Sequence, residues 1–270
     1  MMSRRSFARL AVVVYVALIY GFIFLPVLVL IVFSFQDGKL PVPPFRGFTL
    51  KWYDALFANR RLMDSLANSV VVALGSGAVS TVLGFLAAFG LARHRPAGAP
   101  MIRWLLVLPL FVSYLVIGMG LLLMLRELGI SKSLLTVGMG HLVINLPLAF
   151  AVIYGQMGDH QVYAERAARD LGAGEATVLR RITVPMLWPA LFAAFALTFT
   201  FSWDEFIIAF LLSVFDVTLP VELWSLLRRG LNPQANAAGS LVFTVTIAVL
   251  ILALLAYRLH RRKDAGGTGR

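Results

Sequence analysis

Two adjacent acids, Asp204 and Glu205, stand near the end of a long apolar stretch, where a charged side chain is costly. On a helix, successive side chains point about 100° apart, so the two acids cannot share one environment. One carboxylate could face a polar path while the other pairs with a neighbouring helix or reaches interfacial water. In the alternative, purely structural interpretation, both acids are interfacial or pair with a basic residue such as Arg228. The residues alone leave both interpretations open.

A second polar candidate, Asn145, lies two residues before Pro147 in another apolar run. Proline lacks an N–H group and interrupts helical hydrogen bonding, and Asn145 offers a polar side chain at the same place. A kink packed against neighbouring helices is the alternative interpretation. His141, four residues earlier, is a lone histidine, and such a residue in a membrane helix usually bonds a neighbouring helix.

Residues that the chain lacks exclude several kinds of chemistry. It contains no cysteine, so disulfides, thiolate metal sites and thiol nucleophiles are impossible. The four histidines are scattered without the i, i+4 spacing of a metal site on one helix face. The nearest approach to the phosphate-binding sequence G-x-x-x-x-G-K-[ST] is LGISKS at 128–133, where Ser131 replaces the second glycine. The chain is therefore predicted not to hydrolyse ATP itself.

The composition indicates an all-α membrane protein that places these residues on transmembrane helices. The 270 residues are 60% hydrophobic and 14% charged, with a mean hydropathy of +0.85. Soluble domains have about 45–50% apolar and about 25% charged residues. A window of about 20 residues finds six apolar runs of spanning length. The six predicted spans are residues 11–33, 66–92, 102–125, 134–156, 186–212 and 238–257.

Basic residues predict the orientation of the six spans, because cytoplasmic loops of membrane proteins carry an excess of Lys and Arg. With both termini cytoplasmic, the inner segments hold 15 of the 24 basic residues. These are Arg4, Arg5, Arg9, Arg93, Arg95, Arg103, Arg166, Arg169, Arg180, Arg181, Arg258, Arg261, Arg262, Lys263 and Arg270. Membrane topology explains the net charge of +11, so the charge gives no reason to expect a nucleic-acid partner.

A polar segment between the fourth and fifth runs, residues 159–185, is predicted to form a helix, a turn and a second short helix on the cytoplasmic side. One face of the first helix carries small apolar residues at helical spacing: Ala164, Ala167, Ala168 and Leu171. The sequence LGAG at 171–174 ends that helix, because glycine accepts the backbone angles of a sharp turn. Pro185 and Pro189 mark the expected entry to the fifth span. A helix lying on lipid should carry bulky apolar residues, so the small face fits a protein partner better.

The spacing in this loop resembles that of the inner-membrane permease subunits of bacterial ATP-binding-cassette (ABC) importers. Their loop has the form E-A-A, three residues, glycine, nine residues and I-x-L-P. Two positions depart here: Arg166 stands in place of the motif's Glu, and Val184 replaces its Leu. The resemblance implies that the loop is the coupling helix, which docks on a separate ATPase subunit. The coupling-loop residues that it implies are Glu165, Ala167, Ala168, Asp170, Gly172, Ala173, Ile182 and Pro185.

Two further segments resemble a narrower group, the second permease subunit of spermidine/putrescine-type importers. They are FSWDEFIIAF at 201–210 and TLPVELWSLLRRGLNPQANAAGS at 218–240. That group includes importers of other small organic solutes, such as amino acid derivatives, opines or phosphonates. The resemblance makes a cationic solute the main expectation, since an acid at the outer mouth would attract a cation. The candidates for the solute path are Asp204, Glu205 and Asn145.

The resemblance implies a type I importer permease with six transmembrane helices in residues 11–260, between cytoplasmic segments 1–10 and 261–270. The expected partners are a second, non-identical permease subunit, two ATPase subunits, a periplasmic solute-binding protein and the lipid of the bacterial inner membrane. ATP and Mg²⁺ would be used by the ATPase subunits, and this chain would bind no cofactor. The chain would be a transport subunit and not an enzyme.

Two other classes of membrane protein remain as alternatives. A secondary transporter usually shows a repeated half with broken helices or embedded ion ligands, and the sequence contains no convincing repeat. An intramembrane enzyme needs a nucleophile with a base, or paired catalytic acids. Neither alternative gives the loop at 159–185 a purpose.

Overall fold

The computed structural model describes residues 4–38, 40–230 and 233–266, and within them the chain is helical. No strand forms among these residues beyond an isolated bridge between Gln36 and Phe48. The α-helices of the described residues are α1 (Arg4–Ser34), α2 (Lys51–Ala58), α3 (Arg60–His94), α4 (Ala99–Val107), α5 (Tyr114–Glu127), α6 (Leu134–Tyr154), α7 (Asp159–Asp170), α8 (Glu175–Val178), α9 (Val184–Asp204), α10 (Ile207–Leu212), α11 (Leu219–Arg228) and α12 (Pro233–Gly266). The predicted all-α class is confirmed.

Five helical segments of the described residues are long and apolar enough to cross a membrane. They are Ala11–Ser34, Arg60–His94, Leu134–Tyr154, Glu175–Asp204 and Pro233–Leu252. A sixth span results if α4 and α5, with the 3-10 turn Leu108–Phe111 between them, count as one crossing. The six apolar runs of the sequence thus all reappear as helices, with two differences in shape.

The third predicted span, residues 102–125, is wrong as a single helix because α4 and α5 meet at an angle of 103°. Pro109 cannot donate a main-chain hydrogen bond, and the helix tightens into a 3-10 turn around it. Val112 and Ser113 then have extended backbones, so α5 starts in a new direction. Hydropathy remains high across the bend, so hydropathy alone predicts one continuous span.

The fifth predicted span, residues 186–212, is wrong at both ends. The helix begins earlier, at Glu175, and passes through a π-helical turn, Leu179–Thr183, directly into α9. Pro185 follows this turn, and a wider turn before a proline relieves the clash of its ring with an earlier carbonyl. The second short helix predicted in the loop is therefore the start of the fifth span. At the other end, Glu205 is extended and separates α9 from α10.

The helices divide into two compact units, and the larger consists of residues 64–222 and 246–270. In it, α6 packs against α9, α4 and α5, and α10 packs against α5 and α6. Gly84 allows α3 to approach α6 closely, since a Cβ atom there would lie 2.9 Å from the Cβ of Ala149. Gly77 similarly faces the backbone of Phe199 on α9. Close packing of this kind holds membrane helices together.

Residues 1–63 and 223–245 form the smaller unit. The Tyr53 hydroxyl lies 2.8 Å from the Ser34 Oγ and 3.2 Å from the Ser240 Oγ, which ties α2 to α1 and to α12. On α1, the apolar side chains of the spanning segment are largely exposed, as expected of a helix that faces lipid or another subunit.

Candidate functional site

The polar loop between the fourth and fifth spans contains a helix that stops sharply at Gly172. The N–H of Gly172 donates to the carbonyl of Arg169 at 2.8 Å, and the N–H of Ala173 donates to that of Ala168 at 3.0 Å. This pair of bonds is a Schellman cap, and it places its glycine in the left-handed region. Gly172 has a φ of +86°, which a residue with a side chain rarely adopts. The predicted glycine turn is confirmed.

The exposed face of α7 differs from the predicted face by part of a turn. Beyond its first turn, the exposed residues follow helical spacing and are Tyr163, Arg166, Ala167, Asp170 and the C-cap Leu171. Ala164 and Ala168, which were expected on this face, are half-buried. Leu171 is 89% exposed, although it is a large apolar residue in a polar loop. These five exposed residues are called the stripe of α7 below. The stripe combines small, charged and apolar side chains, and Arg166 is one of the charged ones.

Glu165 points away from that face and is completely buried. Its carboxylate accepts hydrogen bonds from Arg93 at both oxygens, from Nε at 2.8 Å and from Nη2 at 3.0 Å. The hydroxyl of Thr183 donates to the same carboxylate at 2.9 Å. Two parallel bonds from a guanidinium fix the orientation of a carboxylate as well as its position. The acid that stands one residue before the motif position thus has a defined partner inside the protein.

The remaining loop residues line the outside of the turn and the start of the fifth span. Ala173 and Ile182 are half-buried, and Pro185 is exposed. Glu175 accepts hydrogen bonds from the guanidinium of Arg169 at 2.6 and 3.1 Å across the turn. These hydrogen bonds lower the pKa of Glu175 below its usual value and raise that of Arg169. Both side chains are substantially exposed, and the pair closes the turn between α7 and α8.

At the other end of α9, Glu205 is buried and caps the helix that follows. Its two carboxylate oxygens accept the main-chain N–H groups of Ile207, Ile208 and Ala209 at distances of 2.9 to 3.1 Å. The Nε2 atom of His141 on α6 lies 3.2 Å from Glu205 Oε2. The carboxylate itself therefore satisfies the backbone groups that the break after α9 leaves free.

His141 continues this contact into a buried chain of side chains. Its Nδ1 atom lies 2.7 Å from the Ser202 Oγ on α9, and the Ser76 hydroxyl on α3 donates to Ser202 at 2.9 Å. Three spans are thereby joined by hydrogen bonds at one level. The prediction that His141 bonds a neighbouring helix is confirmed.

The three solute-path candidates occupy different environments. Asp204, the last residue of α9, is exposed, and no basic side chain of the described residues pairs with it. Glu205 is held by α10 and His141. Asn145 is 1% exposed on α6, one turn from His141, and its Nδ2 atom has no hydrogen-bond partner within the described ranges. Of the three candidates, only Asp204 presents its polar group at the surface of the larger unit.

Sequence reasoning missed Arg93, Thr183, Ser202 and Ser76. Arg93 was counted only as a basic residue of an inner loop, and it lies 72 positions before its partner Glu165. A buried acid on a helix with exposed neighbours needs a cation, but the sequence does not indicate which of many arginines supplies it. Among the described residues, no group of three or more His, Asp or Glu side chains is placed to hold a metal ion.

A family of known proteins matches most of this arrangement. The family described as the inner membrane component of binding-protein-dependent transport systems matches residues 80–266, which include the loop, Glu165 and Glu205. The chain belongs to this family. It is the permease of a binding-protein-dependent importer and lies in the inner membrane, and hydrolysis of ATP resides in a separate subunit.

Two curated relatives extend the similarity over nearly the whole chain. The spermidine/putrescine transport system permease protein PotC of Escherichia coli K12 is 30% identical over 252 residues, covering 93% of this chain and 94% of PotC. The putrescine transport system permease protein PotI of the same organism is 31% identical over 259 residues, covering 92% and 91%. The similarity thus covers more than nine-tenths of this chain and of each relative.

Solved structures agree on the fold. A chain of a bacterial ABC transporter that imports the acidic polysaccharide alginate has a TM-score of 0.67 at 16% identity, with 96% of this chain and 98% of that chain covered. A chain of the inward-facing methionine transporter MetNI has a TM-score of 0.57 at 15% identity, with 75% and 99% covered. The predicted type I importer permease fold is confirmed.

Proposed function

We propose that this permease imports a cationic polyamine of the spermidine and putrescine class. The observation that carries the proposal is the similarity to PotC and PotI over more than nine-tenths of the chain, since both relatives are named for polyamine transport. Asp204 supports it, because an exposed carboxylate without a basic partner among the described residues would attract a cation. Asn145 and Glu205 are buried, so they would shape the bundle around the path and leave contact with the solute to Asp204.

In the proposed assembly, this chain lines the path beside a second, non-identical permease. Two ATPase subunits that bind ATP and Mg²⁺ would dock on the cytoplasmic loops, and a periplasmic binding protein would deliver the solute. Closure of the ATPase subunits on ATP would move the loops and turn the path from inward-open to outward-open, which is alternating access.

Segment 159–185 is the proposed coupling loop, with the exposed stripe of α7 as its docking surface. A short helix that carries a projecting apolar residue suits a groove on a partner protein, and Leu171 is such a residue. Ala167, on the same stripe, lets the partner approach closely. Gly172 and Ala173 would hold the turn behind this surface, while Asp170 and Arg166 supply its charges.

A transport assay tests the solute, with the complete transporter in proteoliposomes, its own binding protein outside and ATP inside. Labelled spermidine and putrescine should accumulate only with ATP, and each should compete with the other. A neutral or anionic solute that was taken up while spermidine and putrescine neither accumulated nor competed would refute the polyamine class.

Docking is tested separately by Ala167→Trp, which adds bulk to the exposed stripe. The variant should stay in the membrane but lose the ATPase subunit during purification. The matched control is Ala176→Trp in α8, an exposed alanine outside the stripe. Equal retention of the ATPase subunit by both variants would show that α7 is not the docking surface.

A further inference from the structure

One buried carboxylate joins the proposed coupling loop to the ends of two membrane-spanning helices. Glu165 belongs to α7, Arg93 is the penultimate residue of α3, and Thr183 is the last residue of the π-helical turn that leads into α9. All three side chains are buried or nearly so, with Arg93 11% exposed and Glu165 1% exposed. These three residues are called the carboxylate clamp below.

Glu165 cannot itself contact a docked ATPase subunit, because its carboxylate is enclosed by the chain. Arg166, the next residue, is exposed on the stripe of α7. The loop thus separates two tasks between neighbouring residues. One residue faces the partner, and the other faces the spans.

The bonds of the clamp are of a kind that resists being stretched. A bidentate bond between a guanidinium and a carboxylate tolerates little rotation of either group. Breaking it would leave a buried charge without compensation, which is strongly unfavourable. A displacement of α7 would therefore pull on Arg93 and Thr183.

We propose that Glu165 is a positioning residue for energy coupling: it transmits the movement of α7 to α3 and α9 through Arg93 and Thr183. The proposal rests on the proposed docking of α7 on an ATPase subunit. Without the clamp, α7 would still dock and the ATPase would still hydrolyse ATP. The movement of α7 would, however, produce a smaller movement of α3 and α9. The expected defect is uncoupling, and it differs from the loss of docking expected for Ala167→Trp.

The test uses the cysteine-free chain in the complete transporter, with a single reporter cysteine introduced by Asp204→Cys at the exposed end of α9. The reporter measures how the rate of maleimide labelling changes when ATP is added, so it requires no knowledge of the solute. Retention of the ATPase subunit and the rate of ATP hydrolysis are measured in the same samples.

Glu165→Gln in this background should retain the ATPase subunit and hydrolyse ATP, while the ATP-dependent change in labelling falls about tenfold, a typical size for coupling between two sites. Thr183→Val removes one bond and leaves the ion pair, so its loss should be smaller. Exchanging the charges by combining Arg93→Glu with Glu165→Arg should restore part of the change. The matched control is Glu175→Gln, which removes the same charge from an exposed pair within the loop and should behave as the wild type.

A wild-type change in labelling in both Glu165→Gln and Thr183→Val would overturn the clamp and leave the docking proposal intact. Loss of the ATPase subunit from Glu165→Gln but not from Glu175→Gln, without rescue by the exchanged pair, would also overturn it, because Glu165 would then be needed for docking. Absence of an ATP-dependent change in the wild type itself would refute the proposed movement and the clamp together.

Discussion

Two buried glutamates, Glu165 beside the start of α9 and Glu205 just after its end, are satisfied in opposite ways. Glu165 accepts its hydrogen bonds from side chains of two other elements, Arg93 and Thr183. Glu205 accepts four hydrogen bonds from main-chain N–H groups just after it, and His141 reaches it from α6. The bonds of Glu165 therefore depend on the positions of other elements, whereas the bonds of Glu205 fix the turn of its own chain.

This difference suits the two ends to different tasks. A carboxylate held by remote side chains stays satisfied only while the three elements keep their relative positions, so it can transmit a displacement. A carboxylate held by its own following turn stays satisfied when the segment moves as a body. The predicted cytoplasmic end is thus held by side chains of other elements, and the far end by the local geometry of its own chain.

The largest expected effect concerns which end faces the cytoplasm. In the cysteine-free chain, a cysteine placed by Lys51→Cys or Gln234→Cys should react with a membrane-impermeant maleimide added from outside, while one placed by Glu175→Cys should not. The result is close to all or none. Permeabilised membranes, in which all three should react, provide the control. Labelling of the Glu175→Cys variant in intact cells would show that the predicted orientation is wrong. The loop at 159–185 would then lie outside and could not dock on an ATPase subunit.

The next largest effect is on stability, through Glu205→Ala. Two or three buried N–H groups would lose their acceptor at about 1–3 kcal/mol each, so the free energy of unfolding should fall by several kcal/mol. A thermal unfolding curve of the purified transporter in detergent measures the loss. Glu205→Gln is the matched control, because its amide oxygen still accepts and its loss should be smaller. If the alanine variant unfolded at the wild-type temperature, the local account of Glu205 would be wrong.

Much of this arrangement was visible in the sequence, because single segments determine it. The apolar runs, the glycine turn at Gly172 and the bond of His141 to a neighbouring helix all follow from local pattern or from the cost of an unpaired polar group in a membrane. The break after Asp204 was not visible, since hydropathy continues through residue 212 and the acid that caps α10 reads as a charge inside a span. The pairing of Arg93 with Glu165 depends on tertiary contact across 72 positions, and nothing in either segment identifies the other.

A smaller effect is expected at Asp204, the exposed neighbour of Glu205. Asp204→Asn should raise the spermidine concentration for half-maximal uptake about fivefold or less, since an exposed charge contributes roughly 1 kcal/mol at most. Assembly should be unchanged, and Glu205→Gln should affect uptake less than Asp204→Asn. Asp216→Asn, which removes another exposed acid of the same unit, is the control. If the double variant of Asp204 and Glu205 transported spermidine as the wild type does at every concentration and salt level, neither acid would serve the solute path.

The smallest effect distinguishes the clamp from the exposed pair in the same loop. The hydrogen bonds from Arg169 lower the pKa of Glu175. The pair therefore stabilises the turn fully above the ordinary carboxyl pKa, and this stabilisation is lost only as pH falls through the lowered pKa. Between about pH 6 and pH 8 the turn should therefore not change. Salt should act instead, because raising it from about 0.1 M to about 1 M screens exposed charges far more than buried ones.

Two spin labels measure that contrast, one placed by Thr177→Cys beside the exposed pair and one by Tyr163→Cys on α7 near the clamp. Both positions are exposed, so a label fits each without displacing buried side chains. High salt should make the label at 177 slightly more mobile and leave the label at 163 unchanged. Adding Glu175→Gln should abolish the salt response at 177, because no pair remains to be screened. A salt response at 163 equal to that at 177 would mean that water reaches Glu165 and Arg93, and the clamp would then be too weak to transmit movement.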